Sequence, residues 1–338
     1  MMSDCIEEAA CRAPFFCGVN LDRLAGERDD EAKMDALTHD PDALCLVYSG
    51  PSAEKVCMKS NLLVRVPLSE AVTKGDEATM TFLGMEESSE ASHEGGRVPL
   101  FAIVSDEVVG EGSEFVDVLR GCGEGVLNRE TGALAAYGKL MLRQHTKNGV
   151  LFCPCCGSAT ESRAAGTKRH CVPCKRDLFT RTDPVAIVLV VHPDDPTRTL
   201  LVRKPQYKPR TRHTCVAGFI EPGESAEEGA RREVKEETNI DIDPATVRFI
   251  ASQPWPSNIG SQLMIAFMCR AKKDTAPLHV DTEELDDAQW YTVDQVREAL
   301  RLKEATPETE LTLPQSHALA FTMLSRWVQQ MDSGTLHW

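Results

Sequence analysis

Gly218-Phe219-Ile220-Glu221-Pro222-Gly223-Glu224-Ser225, followed shortly by Arg232-Glu233-Val234-Lys235-Glu236-Glu237-Thr238-Asn239-Ile240, puts a glycine turn, a helix start and spaced acidic residues into one short stretch. Ser225 with Glu228 three positions on has the form of a capping box, which predicts a helix beginning near Ser225. Along that helix Glu233, Glu236 and Glu237 stand at i, i+3 and i+4 and share one face. Like charges at that spacing repel by about 0.2–0.5 kcal/mol per pair, so folding alone gives no reason for the cluster. A divalent cation does give one, because hard carboxylate oxygens suit Mg²⁺ or Mn²⁺, and such ions usually bridge to substrate phosphates. A solvated acidic helix would account for three glutamates by themselves. It leaves the glycine turn, Glu224 and Arg232, all in register, without a purpose.

The spacing Gly-x5-Glu-x7-Arg-Glu-Val-x-Glu-Glu-x-Asn-Ile closely resembles the box of the Nudix hydrolases. One position departs: the family's glycine before the last apolar residue is Asn239, and asparagine is the best non-glycine residue for a left-handed helix cap. The resemblance implies an α/β fold, a Nudix α/β/α sandwich with a mixed sheet. It also implies that Glu233, Glu236 and Glu237 are ligands of Mg²⁺ or Mn²⁺, one of them doubling as general base. Arg232 is then the residue that orients them by charge-assisted hydrogen bonds. Glu224 resembles the loop glutamate of the box, whose task the sequence leaves open.

A chain of 338 residues has room for two or three domains, and 42% apolar with 26% charged content is that of a soluble globular protein. The net charge of −15 argues against broad adhesion to nucleic acid or an anionic membrane, though not against a local basic groove. No apolar run approaches the length of a membrane helix, and Met1 to Ala10 is acidic without an apolar signal core. The final Leu336-His337-Trp338 is not a Ser-Lys-Leu address, and the expectation is a reducing intracellular compartment, the cytoplasm first, with a peroxisome or another organelle left open.

Thirteen cysteines would suit a secreted disulfide scaffold, but the chain is long and its clearest cysteines come as metal-type pairs. Cys153-Pro154-Cys155-Cys156 and Cys171-Val172-Pro173-Cys174 form two Cys-x2-Cys knuckles with room for a small hairpin between them. This is the pattern of a four-thiolate zinc ribbon, with Cys153, Cys156, Cys171 and Cys174 as ligands and a register using Cys155 for Cys153 left open. Four sulfurs close the coordination sphere, so one Zn²⁺ here would be structural. Lys168, Arg169, Lys175 and Arg176 read as solvated surface or as a nucleic-acid contact.

Three domains are expected: a divergent N-terminal α+β domain over 1–148, the ribbon over 149–180, and a Nudix domain over 181–335. Before the ribbon, 43–48 and 99–104 read as strands, 85–96 as a polar loop and 133–144 as a helix. After it, strands are expected at 186–191, 200–203, near 247–252, 263–270 and 288–291, with a turn at 193–197 and helices at 293–302 and 315–331.

Ser252-Gln253-Pro254-Trp255-Pro256 resembles the signature of the NADH pyrophosphatase branch, which also carries a four-cysteine ribbon just before its Nudix domain. Asp281 to Tyr291 is a third likeness, in which Glu284 lines up with a further metal-binding glutamate. Together these cover roughly residues 139–330. The resemblance implies hydrolysis of NADH and NAD⁺ to nicotinamide mononucleotide and AMP, extending to an NAD cap on RNA, where the same bond breaks. It also implies a homodimer, and the charge and the lack of a long apolar run lead us to expect no membrane partner. Aromatic rings beside a dinucleotide stack on its flat groups; Phe219 and Trp255 are the candidates, with Gln253 as a polar contact, Phe179 where the family has a tyrosine, and Ala318 as a small lining residue. Phe179, Trp255 and Ala318 also read as ordinary packing residues. The family continues Pro-Trp-Pro with Phe-Pro and a short link to Leu-Met; here 257–262 is longer by about two residues, which bears on specificity. The rival readings are a Nudix enzyme of ADP-ribose or dinucleoside polyphosphates, and a non-catalytic zinc-ribbon adaptor.

Overall fold

The computed structural model describes residues 14–88, 96–107, 109–147, 149–206, 211–258, 260–302 and 309–336. Met1 to Ala10, most of the loop 85–96, Ile259 and the end at His337 and Trp338 lie outside the described residues. The chain forms two compact units, one containing Asp183–Pro254 and Gln262–Trp338 together with Phe15, the other containing Phe16–Thr182 and Trp255–Ser261.

In the first unit one sheet runs, in spatial order, Arg248–Pro256, Ser261–Arg270, Asp183–Val191, Arg198–Arg203 and Asp287–Thr292, with Val216–Phe219 also paired to Asp183–Val191. Ser261–Arg270 lies parallel to Asp183–Val191, while Arg198–Arg203 and Val216–Phe219 are antiparallel to it, so the sheet is mixed. Alternation along the central strand builds two cores, because successive side chains leave a strand on opposite faces. Ala186, Val188 and Val190 pack with Ala230 and Val234 of the helix Ala226–Thr238. Ile187, Leu189 and Val191 pack on the other face with Val296, Leu300, Met323, Leu324 and Trp327 of the helices Val293–Arg301 and Leu319–Ser333. Each valine, leucine, isoleucine and methionine among them contributes about 1.5–3 kcal/mol of transfer free energy. The result is the expected α/β/α sandwich; the five expected strands and the helix Val293–Arg301 fall within a few residues of their expected places, and Val216–Phe219 is a sixth strand that the sequence reading did not give. The last helix begins at Leu319 rather than at Gln315, because residues 316–318 form a turn and the Leu319 N–H is taken by the Gln253 side chain at 2.9 Å.

In the second unit a seven-stranded sheet has the order Leu62–Leu63, Lys55–Lys59, Leu44–Ser49, Arg97–Val104, Asp76–Glu87, with Arg65–Pro67 and Glu114–Asp117 paired off that path. Its two strands legible in sequence, Leu44–Ser49 and Arg97–Val104, lie side by side and parallel. The helix expected from 133 starts at Arg129, capped by Asn128 with Thr131 in a reciprocal pair that a search for Glu or Gln at that position passes over. The cysteine region follows as a three-stranded sheet of Glu161–Arg163, Lys168–Cys171 and Arg176–Leu178.

Candidate catalytic site and the four-cysteine centre

The helix Ala226–Thr238 starts as its sequence requires. Ser225 Oγ accepts from the Glu228 N–H at 3.2 Å, and Glu228 accepts in return from the Ser225 N–H at 2.8 Å. It ends on Asn239 at φ 61°, the left-handed cap, whose N–H closes on Lys235 O. Between these ends the acidic face is gathered by one guanidinium. Arg232 donates to Glu224 Oε1 at 2.6 Å and Oε2 at 2.9 Å, to Glu233 Oε1 at 2.8 Å, to Glu236 Oε2 at 2.9 Å and to the Phe219 carbonyl at 2.8 Å. Five planar donors make such a hub possible, and lysine has no equivalent. The two-pronged Arg232 contact and the Glu221 N–H hold the Glu224 carboxyl down at about 2. Gly218 is dictated by the same packing: a Cβ there would overlap the Glu233 carboxylate.

Glu233 and Glu237 face inward. Burial raises the pKa of both, that of Glu237 to about 7, and the charge of Glu284 adds to each shift. Glu284 sits in an exposed turn tied to the helix's last turn by the Asp281 N–H, which donates to Glu237 O at 3.1 Å. Glu237 is 1% exposed, and neither carboxylate oxygen has a hydrogen-bond partner. Lys204 Nζ stands 3.6 Å from Oε1, an ion-pair distance too long for a hydrogen bond. Glu236 is the solvated member, with 60% of its side chain exposed. A buried carboxylate without donors, flanked by further carboxylates, has the donor chemistry of a site for a hard divalent cation.

The aromatic candidates divide between the units. Phe219 follows the box glycine in the first and is 54% exposed. Phe179, in the second, is 65% exposed. Trp255, also in the second, is half-buried and meets Phe16 edge to face at 5.7 Å. Gln253 departs from its expected use as a substrate contact. It is 1% exposed, its Nε2 donates to His317 O at 2.8 Å and to Phe15 O at 3.1 Å, and its Oε1 accepts from Leu319. Both amide protons are therefore spent on the backbone, and the side chain serves as the cap that the helix lacks from Ala318, its partly exposed N-cap residue.

In the second unit Cys153, Cys156, Cys171 and Cys174 bring their sulfurs within 4.8 Å of one another, with Cys153–Cys174 at 3.9 Å and Cys156–Cys171 at 3.5 Å. A tetrahedral zinc with Zn–S bonds of about 2.3 Å separates its sulfurs by about 3.8 Å, so the cluster has the dimensions of that site. Cys155 lies outside it, exposed, and accepts from Arg176 Nη1 at 3.1 Å. Contact splits the four acids: hydrogen bonds led by Ser158 pull Cys156 down, and neighbouring thiols led by Cys156 push Cys174 up. Among the described residues no other group of three or more metal-ligating side chains converges so closely.

Sheet, capped helix and carboxylate hub all lie within residues 181–312, which match the model of the NUDIX domain. Among similar proteins, Nudix hydrolase 19, chloroplastic, of Arabidopsis thaliana is 42% identical over 51% of this chain and 39% of its own length. NAD-capped RNA hydrolase NUDT12 of Homo sapiens is 35% identical over 60% of this chain and 43% of its own. NAD(P)H pyrophosphatase NUDT13, mitochondrial, of Mus musculus is 34% identical over 62% and 58%. The match thus spans roughly two fifths to three fifths of the relatives' own lengths.

Proposed function

We propose that the chain hydrolyses the pyrophosphate bond of NADH and NAD⁺ to nicotinamide mononucleotide and AMP, and the same bond where it caps an RNA. The observation that carries this reading is Glu237, sealed from water without a donor and within the field of Glu233 and Glu284, while Arg232 holds Glu233 and Glu236 on the same helix. The named substrates of the relatives, an NAD cap and NAD(P)H, supply its substrate class. Glu233, Glu236, Glu237 and Glu284 would hold Mg²⁺ or Mn²⁺. Such an ion, when bound, neutralises phosphate oxygens and lowers the pKa of an attacking water. Arg232, itself anchored by Glu224, keeps the carboxylates aimed, and one of them takes the proton of the water as the P–O–P bond breaks. Phe219 supplies a stacking face for a flat ring of the substrate, and Gln253 fixes the helix start that follows Ala318.

On this reading Cys153, Cys156, Cys171 and Cys174 bind a structural Zn²⁺, residues 1–148, 149–180 and 181–335 act as three domains, and the protein works as a homodimer in a reducing compartment such as the cytoplasm. Among the described residues no helix is long and apolar enough to cross a membrane. A panel of NADH, NAD⁺, NAD-capped RNA, ADP-ribose and a dinucleoside polyphosphate at fixed Mg²⁺ tests the assignment. NADH is expected to exceed ADP-ribose in kcat/KM by about tenfold or more. Equal or reversed ratios would assign the site to the other substrates.

A further inference from the structure

One cation at the carboxylate site is not part of the helix that carries the glutamates. Lys204 follows directly on the strand Arg198–Arg203, and its Nζ donates to the Ala217 carbonyl at 3.1 Å while standing 3.6 Å from Glu237 Oε1. Ala217 lies in Val216–Phe219, the strand that brings in Gly218 and Phe219, so the ammonium is moored beside the glycine that Glu233 packs against. The Lys204 charge favours ionised Glu237, while Glu233 and Glu284 oppose it. The ion-pair distance is that of a counter-ion, and the missing hydrogen bond leaves both Glu237 oxygens open to a better cation.

We propose that Lys204 is the resident counter-ion of Glu237, holding the carboxylate in place while no divalent cation is bound and competing with that cation when it arrives. Lys204 is on this account a positioning residue that lowers metal affinity to a working value and keeps the empty site from repelling itself. The inference rests on the reading of Glu237 as a metal ligand. Two positive charges cannot share one carboxylate at low dielectric without repulsion, which at an effective dielectric near 20 amounts to a change of about tenfold or more in affinity.

Direct Mn²⁺ binding to the full chain, its four-cysteine centre loaded with zinc and no nucleotide present, separates the possibilities. Lys204→Met is expected to bind Mn²⁺ about tenfold or more tightly than the unaltered protein, and to gain more in melting temperature from Mn²⁺. Lys204→Arg, which keeps the charge, is expected to stay near the unaltered affinity. Lys204→Gln, which keeps a donor for Ala217 without the charge, should follow Lys204→Met and provides the test if the methionine variant does not fold. Unchanged or weaker Mn²⁺ binding in the uncharged variants would overturn the counter-ion role. Mn²⁺ binding that survives intact in Glu237→Gln would instead overturn the ligand reading itself, and the counter-ion role with it.

Discussion

Two candidate cation sites built from acidic side chains, thiols in one and carboxylates in the other, are assembled in opposite ways. The four thiols are drawn into one cluster within 4.8 Å by two tight knuckles and a short sheet. Hydrogen bonds among themselves and with their turns join them, and a four-thiolate metal site leaves no position for water or substrate. The carboxylates of the helix Ala226–Thr238 do not converge in that way. Arg232 spreads over Glu224, Glu233 and Glu236, and Lys204 attends Glu237. Under the proposed function the difference separates two tasks. A closed, preassembled set of soft ligands stores folding energy, while hard ligands kept apart by protein cations leave room for an ion that must also hold phosphate.

The largest effect that would sharpen the contrast is on turnover. Glu237→Gln removes the buried ligand charge and is expected to lower kcat by about 10²–10⁴-fold, with a melting temperature no lower than that of the unaltered protein. Full activity in this variant would remove the carboxylate half of the comparison. Cys171→Ser should behave the other way round. It should release zinc, measured by elemental analysis, and lower the melting temperature by roughly 5–10 °C, because structural zinc contributes directly to folding. Loss of the metal with an intact melting temperature would show that the sulfur site stores no folding energy.

The acidity of Glu237 gives a prediction for stability against pH. Its folded pKa, near 7, lies above the ordinary 4.5. The protonated carboxyl therefore favours folding, with that contribution complete below about 4.5 and lost as the pH rises through 7. In protein free of Mg²⁺ and Mn²⁺ the loss amounts to on the order of 3 kcal/mol, read as a falling denaturant midpoint that Glu237→Gln flattens. An identical slope in that variant would place the titration elsewhere.

Much of this was legible before any coordinates. The Ser225–Glu228 box, the Asn239 cap and the i, i+3, i+4 glutamate face are local features, fixed within a few turns of chain, and the structure has them where the sequence puts them. What the sequence hid is non-local. Gln253 reads as a polar group in a substrate signature, but its partners are the backbones of Phe15, His317 and Leu319, up to 238 positions away. Lys204 likewise reads as one more charge after a strand; only pairing across the sheet brings it to Ala217 and Glu237. The N-terminal sheet was the least legible part, since its strands pair out of chain order and several are only two to four residues long.

Smaller effects sharpen the roles around the hub. Arg232→Lys keeps a charge but loses the fork, and is expected to lower kcat/KM by about 10–100-fold through misaimed carboxylates. Trp255→Ala should raise KM for NADH by about fivefold or more, and for ADP-ribose less, if the indole stacks on nicotinamide. Equal effects on both substrates would move that stack to another ring.

The central claim, that the carboxylate face is a pyrophosphate-cleaving centre, is tested most directly by chromatography of products after incubation with NADH and Mg²⁺ or Mn²⁺, with Glu236→Gln run in parallel. The account predicts reduced nicotinamide mononucleotide and AMP in equal amounts, and neither from the variant. Intact NADH with both metals, or the same products from Glu236→Gln, would contradict it.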